Sequence, residues 1–257
     1  MVLQFTKDNG IATLKFNRPD KYNSFNQELA FAVQKALDDC EKDEHVRVII
    51  LTGEGKAFCA GQDLAEATDP NGPPLKNIVK DHYNPIILKI RNIEKPIIAA
   101  VNGVAAGAGA NIALACDIVV AKYSASFIQA FSAIGLIPDS GGTYFLPRLV
   151  GMQKALSLML TGDKIGAQEA ESMNMIYKAV EDEKFDEFIQ QLAGKMAVMP
   201  TRGYGLTKKA VNAAFDNTLS QQLDLEEKLQ AEAGSTEDFK EGTTAFLEKR
   251  KPNFKGR

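Results

Sequence analysis

The sequence predicts a mixed α/β core over residues 1–195, followed by a C-terminal helical region over residues 196–257. Three observations carry this. Residues 46–52, 97–101 and 118–121 are short, almost continuous apolar runs, which suit strands covered on both faces. Each run alternates with a helical stretch, so the core is layered α/β rather than all-β. From about Asp182 onward the apolar spacing is helical only.

The elements follow in order. Residues 3–6 and 11–16 read as a hairpin turned by Asp8-Asn9-Gly10. Ser24 is the expected N-cap of a first helix, whose apolar face recurs at Leu29, Ala32, Val33 and Leu37. The strand at 46–52 leads to a small turn, Ala57-Phe58-Cys59-Ala60-Gly61-Gln62-Asp63-Leu64, and a helix beginning near Asp63. Asp69-Pro70-Asn71-Gly72-Pro73-Pro74 is a cluster of breakers and reads as a loop, either a rim over a ligand or a plain surface connection. The strand at 97–101 leads to a second small turn, Asn102-Gly103-Val104-Ala105-Ala106-Gly107-Ala108-Gly109-Ala110-Asn111, and the next helix. Another helix should start at Ser140-Gly141-Gly142, just after Asp139. In the tail, Phe185, Phe188, Ile189, Leu192 and Met196 share one face, and Leu206, Ala210, Val211 and Ala214 the next. Leu219, Leu223, Leu225, Leu229 and Phe246 continue the series, and such faces need a partner surface.

Chemistry concentrates in three segments. The two small turns let a ligand approach bare backbone N–H groups, and a helix start favours developing negative charge. The same turns would also serve as tight strand-to-helix connections with no ligand. The third segment is Ile134-Gly135-Leu136-Ile137-Pro138-Asp139-Ser140-Gly141-Gly142-Thr143. Asp139 stands where an N-cap aspartate is common, and where a general base could equally stand. Two backbone donors and one carboxylate suffice to form and guide an enolate.

In this order and spacing, the three segments resemble the crotonase (enoyl-CoA hydratase/isomerase) superfamily. The resemblance runs from Phe16-Asn17-Arg18-Pro19 to Lys251-Pro252-Asn253-Phe254. It implies a spiral of ββα units with a C-terminal helical oligomerisation region, assembled as a homotrimer or a dimer of trimers. It also implies an acyl-CoA thioester substrate, with CoA part of the substrate and no separate cofactor or metal. The oxyanion donors would be the backbone N–H groups of Gln62 and Ala108, and Asp139 the acid/base. Many relatives have Gly where Ala108 stands, a change that leaves the N–H intact. Substrate contacts are expected from Lys21, Ala60, Asp63, Leu64, Gly107 and Phe131. Two glutamates activate water in the family's hydratases, and their places align with Asn111 and Phe131, which cannot exchange a proton usefully. A single carboxylate suits a 1,3-proton shift. Phe127-Ile128-Gln129-Ala130-Phe131 and the run from Gly135 through Arg148 resemble the branch that converts ring 1,2-epoxyphenylacetyl-CoA to an oxepin-CoA and shifts 3-enoyl-CoA double bonds to position 2. Phe131 would then wall an aromatic-sized pocket, or be a core phenylalanine. Alternative functions are hydration, dehalogenation with Asp139 attacking carbon, or CoA binding without catalysis. Lys249, Arg250 and Lys251 could meet a CoA phosphate, or be solvated. His82 lies near the place of a dehalogenase histidine, but the absence of any Trp favours a helix-surface residue.

Composition bounds the rest. The chain has 257 residues, 45% hydrophobic and 25% charged, enough for one sizeable core. A net charge of −3 without a basic stripe argues against nucleic acid as a partner. Three cysteines and two histidines, none in ligand spacing, argue against a structural zinc and fit a reducing cytoplasm. No apolar run approaches the ~20 residues that span a bilayer.

Overall fold

The computed structural model describes residues 1–257. The hairpin is formed by β1 (Leu3–Asp8) and β2 (Ile11–Phe16), paired in register from Leu3–Phe16 to Asp8–Ile11. Its connection is the two residues Asn9 and Gly10, both at positive φ, the backbone that matches strand twist. Helix α1 (Gln27–Lys42) then buries Leu29, Val33 and Leu37. Its N-cap is Asn26, whose Oδ1 accepts the Leu29 N–H. The expected cap, Ser24, lies two residues earlier and is buried. There Phe25 already pairs with the first small turn, its N–H donating to the Gly61 carbonyl, so the chain is not free to start a helix.

Three successive units then repeat strand, strand, helical segment. They are β3 (Val48–Gly53) with β4 (Ala57–Cys59), β5 (Ile97–Val101) with β6 (Val104–Ala106), and β7 (Ile118–Lys122) with β8 (Ser126–Ile128). The first strand of each unit joins a six-stranded sheet, ordered β1-β2-β3-β5-β7-β10, where β10 is Lys178–Val180. The second strand joins a four-stranded sheet, β4-β6-β8-β9, with β9 at Lys164–Gly166. Within both sheets the repeated strands pair in parallel. This is a spiral of ββα units.

The helices between them are α2 (Leu64–Ala67), α3 (Leu75–Asn77), α4 (Asn84–Asn92), α5 (Ala108–Ala115), α6 (Gly142–Val150), α7 (Met152–Thr161) and α8 (Ala167–Ser172). Residues Ile78–Tyr83, between α3 and α4, form a π-helical turn. The breaker cluster at 69–74 carries no helix or strand.

The continuous apolar runs are explained by burial on both faces of the large sheet. Ile49, Leu51, Ile97 and Ala99 face the main core, while Val48, Ile50, Ile98 and Ala100 face a second one. The second core is covered by α9 (Phe185–Ala197), through Phe185, Ile189, Ala193 and Ala197. The start of the helical tail therefore belongs to the spiral itself. The helices α10 (Thr201–Ala213), α11 (Leu219–Gly234) and α12 (Glu237–Leu247) follow. Helix α10 docks through Lys208, whose Nζ reaches Asp117 Oδ2 at 2.8 Å, and through Gly205, which lies against Glu94. Beyond it, Leu219, Leu223, Phe239, Phe246 and Leu247 are exposed, and Leu229 is buried.

Candidate active site

The two small turns meet. Gly61 has φ +92°, and a Cβ there would lie 3.0 Å from the Ala106 carbonyl oxygen and 3.5 Å from the Ala108 nitrogen. A Cβ on Gly109 would sit 2.7 Å from Cys59 Sγ. Both glycines are therefore dictated by contact between turns. The Gln62 N–H makes no hydrogen bond, although its neighbours on both sides are engaged: the Gly61 carbonyl accepts from Phe25 and the Asp63 N–H donates to Phe25. Ala108 is the first residue of α5, so its N–H has no acceptor within the helix. Two backbone donors are thus brought side by side on adjoining turns.

The first turn is braced from outside. Asp63 accepts from Arg18 Nη2 at 2.8 Å and from the Ala65 N–H at 3.1 Å, capping α2. Burial pushes the Asp63 carboxyl up, but the Arg18 hydrogen bond, the Ala65 N–H and the Arg18 and Lys21 charges outweigh it and hold it below the usual range. Both Asp63 oxygens are occupied, so its part in any site is to fix the turn. Lys21 is exposed nearby, as are Ala60 and Leu64. The Gln62 side chain is drawn aside: its Oε1 accepts from Tyr83 Oη at 2.8 Å and its Nε2 donates to Glu66 at 3.0 Å. Tyr83 is almost fully buried, and desolvation, followed by the charges of Cys59, Asp139, Glu66 and Asp63, holds its phenol well above the ordinary value.

Asp139 sits over the first turn of α5. Asn111 Nδ2 donates to the Asp139 carbonyl oxygen at 2.9 Å, and Asn111 Oδ1 accepts from Gln129 Nε2 at 2.8 Å. The Asp139 side chain caps nothing: the N-cap of α6 is Gly141, without a side-chain bond. Its only side-chain partner is Ser140, whose Oγ donates to Oδ1 at 2.9 Å. Burial raises the Asp139 carboxyl above its usual range, and the Ser140 hydroxyl opposes this. A half-buried carboxylate with a raised pKa and only Ser140 as a side-chain partner is less strongly held in its ionised form than an exposed one, and so better suited to exchange a proton. Ser140 and Gly141 both have positive φ, which turns Asp139 out of the following helix.

Phe131 is buried, and its ring closes on Gly107, where a Cβ would lie 3.8 Å from Phe131 Cζ. The phenylalanine therefore lines the Gly107 turn while also packing inward. Gln62, Gly107, Ala108, Phe131 and Asp139 are thus gathered at one place, with Asn111 behind them. Arg250 pairs with Glu241 and Glu248, so its guanidinium is engaged within the chain.

His82 departs from expectation. It is buried, with its ring edge-on to Phe31 at 5.4 Å. It lies in the π-helical turn, which also buries Ile78 and Tyr83. Sequence reasoning also missed Tyr83, Gln129 and Arg18, whose partners lie 21, 18 and 45 residues away. Only Gln129 and Arg18 fell within stretches that carried the resemblance.

No group of three or more His, Cys, Asp or Glu is placed to hold a metal ion, and no helix is long and apolar enough to cross a membrane. The cysteines are buried, and desolvation pushes the Cys59 thiol up to about 12, far from a nucleophile's range.

Residues 6–257 match the enoyl-CoA hydratase/isomerase family. The chain is 47% identical over 253 residues to the 1,2-epoxyphenylacetyl-CoA isomerase of Escherichia coli K12, covering 97% of each protein. It is 40% identical to the mitochondrial enoyl-CoA hydratase of Pongo abelii, over 97% of this chain and 85% of that one. The solved enoyl-CoA hydratase of Bacillus anthracis superposes with a TM-score of 0.93 at 32% identity, over the whole of both chains. From near its N-terminus to its last residue, the chain belongs to the enoyl-CoA hydratase/isomerase family, of crotonase fold.

Proposed function

We propose that the protein is an acyl-CoA isomerase that works through an enolate. The observation that carries this reading is the solitary carboxylate. Asp139 stands on the Asn111 side of the paired turns, and the family resemblance aligns Asn111 and Phe131 with the two glutamates that activate water in hydratases. The thioester oxygen would lie between the N–H groups of Gln62 and Ala108, where charge develops as the enolate forms. With a 3-enoyl-CoA, Asp139 removes a proton from C2 and the electron pair moves onto the thioester oxygen. The double bond shifts to C2–C3 and the proton returns at C4, leaving Asp139 ionised again. Hydrogen and charge balance with no redox partner or metal, and CoA enters only as part of the substrate.

The E. coli relative's name and the Phe131 wall extend this reading to ring 1,2-epoxyphenylacetyl-CoA, with an oxepin-CoA as product. An aromatic face against Gly107 suits a six-membered ring better than water. Lys21, Ala60, Leu64 and Gly107 would line the substrate path, with Asp63 fixing its wall. The exposed faces of α11 and α12 suit a homotrimer or a dimer of trimers, and a cytoplasmic location suits a CoA ester.

The test is a panel of CoA esters followed by mass spectrometry in deuterated water. Expected is isomerisation of 3-enoyl-CoA with deuterium incorporation, and hydration of crotonyl-CoA slower by at least ~100-fold, the scale of one missing general acid/base. Comparable rates on both would defeat the single-carboxylate reading. Halide release from a halogenated aroyl-CoA without isomerisation would favour the dehalogenase.

A further inference from the structure

We propose that Asn111 is a positioning residue. In a chain Gln129–Asn111–Asp139, it sets the Asp139 carboxylate against the substrate by holding the aspartate's backbone carbonyl. This rests on the reading of Asp139 as the acid/base.

The orientation of both amides follows from chemistry alone. The Asp139 carbonyl can only accept, so Asn111 must present Nδ2 to it, at 2.9 Å. Asn111 Oδ1 must then face Gln129 as acceptor, and Gln129 Nε2 donates at 2.8 Å. Gln129 Oε1 is left buried without a partner. A flip of either amide would set oxygen against oxygen. Asn111 is fully buried and Gln129 nearly so, so water cannot substitute for a lost link at low cost.

The surrounding backbone is cut to fit this chain. A Cβ on Gly142 would lie 2.7 Å from Asn111 Cγ, which leaves no room for one. The Gly142 N–H also donates to the Asp139 carbonyl, at 2.9 Å, so that oxygen is clamped from two sides. Asp139 itself lies between an exposed stretch, residues 132–137, and the positive-φ pair Ser140 and Gly141. Apart from Ser140, its side chain has no hydrogen-bond partner. The carbonyl clamp is therefore what fixes the direction in which the carboxylate points. A carboxylic residue at position 111 would not serve in its ionised form, because it has no hydrogen to donate.

The experiment compares full-length wild type with Asn111→Asp, Asn111→Ala, Gln129→Ala and Gly142→Ala on 3-enoyl-CoA, with circular dichroism to measure the folded fraction. Expected is a kcat loss of roughly 10- to 100-fold for the two Asn111 variants with KM within about threefold, because misdirection of about an ångström costs that much while binding groups are untouched. Gly142→Ala should show the same kcat-selective loss, and Gln129→Ala a smaller one. Asn111→Asp carries a distinctive signature. Its ratio to wild type should improve as pH falls, because the protonated acid regains a donor. If Asn111→Ala fails to fold, the isosteric Asn111→Asp and Gln129→Ala, one link further from Asp139, still decide the matter. Folded variants with wild-type kcat, or losses that fall on KM and are flat with pH, would overturn the proposal. Asp139→Asn is run alongside. If it is inactive while the Asn111 variants are normal, positioning fails alone; if it is active, the reading of Asp139 fails first.

Discussion

Replacing Asp139 by Asn removes the basic oxygen and little else. The side chain keeps its size, and the amide oxygen can still accept from Ser140 Oγ. Because the clamp from Asn111 and Gly142 grips the backbone carbonyl, it survives the change. The donors at Gln62 and Ala108 are backbone groups and are untouched. The expected loss is therefore confined to proton transfer, on the order of 10²–10⁴-fold in kcat. That corresponds to roughly 2.7–5.4 kcal/mol of barrier, at about 1.36 kcal/mol per decade. Acyl-CoA affinity should change little.

Two pH signatures accompany the loss. Burial raises the Asp139 carboxyl in the folded chain. A base must be ionised, so wild-type turnover should rise with pH through that raised value and then level, whereas the variant's residue should be flat. The stability effect runs the other way. A carboxyl whose folded pKa lies above its unfolded one favours the folded state fully below the unfolded value, and that contribution is lost as pH rises through the folded value. Asp139→Asn should consequently be no less stable than wild type at neutral pH, and its advantage should vanish in acid. The assays are turnover with solvent deuterium, a binding isotherm and thermal melts at several pH values. Near wild-type turnover in the variant would refute the reasoning, and so would a proportional loss of binding.

Three further outcomes are expected. Arg18→Ala should cost roughly 1.5–3 kcal/mol, because it leaves the half-buried Asp63 carboxylate without its charged partner. Asp63 has a folded pKa below the ordinary one, so this stabilisation is present above the ordinary value and lost as pH falls through the folded one, and melts of mutant and wild type should converge in acid. Gly109→Ala should destabilise by about 1–3 kcal/mol and lower turnover as well, since the new methyl meets Cys59 and pushes the turns apart; unfolding by denaturant checks the first and kinetics the second. Light scattering should show a trimer or hexamer, because Leu219, Leu223, Phe246 and Leu247 leave a large apolar surface on α11 and α12, and a stable monomer at working concentration would contradict it.

The parts of the fold visible in the sequence are those decided by local chemistry. Asn9-Gly10 specifies its own hairpin. The apolar runs at β3, β5 and β7 announce two-sided burial, because both faces really are covered. The failures arise where a distant segment decides. Ser24 is as good a cap as Asn26 by type, but the chain at Phe25 is held by Gly61, so the helix waits for Asn26. His82 was expected on a helix surface, but it falls in the π-helical turn, where it is buried edge-on to Phe31.

The site divides along the same line. Its small residues were legible, since a close backbone approach admits few side chains. Their reasons were not, because each glycine answers a different neighbour: Gly61 the Ala106 carbonyl, Gly109 the Cys59 thiol, Gly142 the Asn111 amide. Asp139 was legible as a residue but ambiguous as a role, since a cap and a base want the same position. The structure removes the cap. Gly141 takes the cap position at positive φ, so the helix needs nothing from the Asp139 side chain. The backbone carbonyl makes the structural bonds that the side chain does not. A carboxylate kept out of its helix, partly desolvated and held by its own main chain has no structural bond that fixes its charge, which leaves it free for the proton transfer proposed for it.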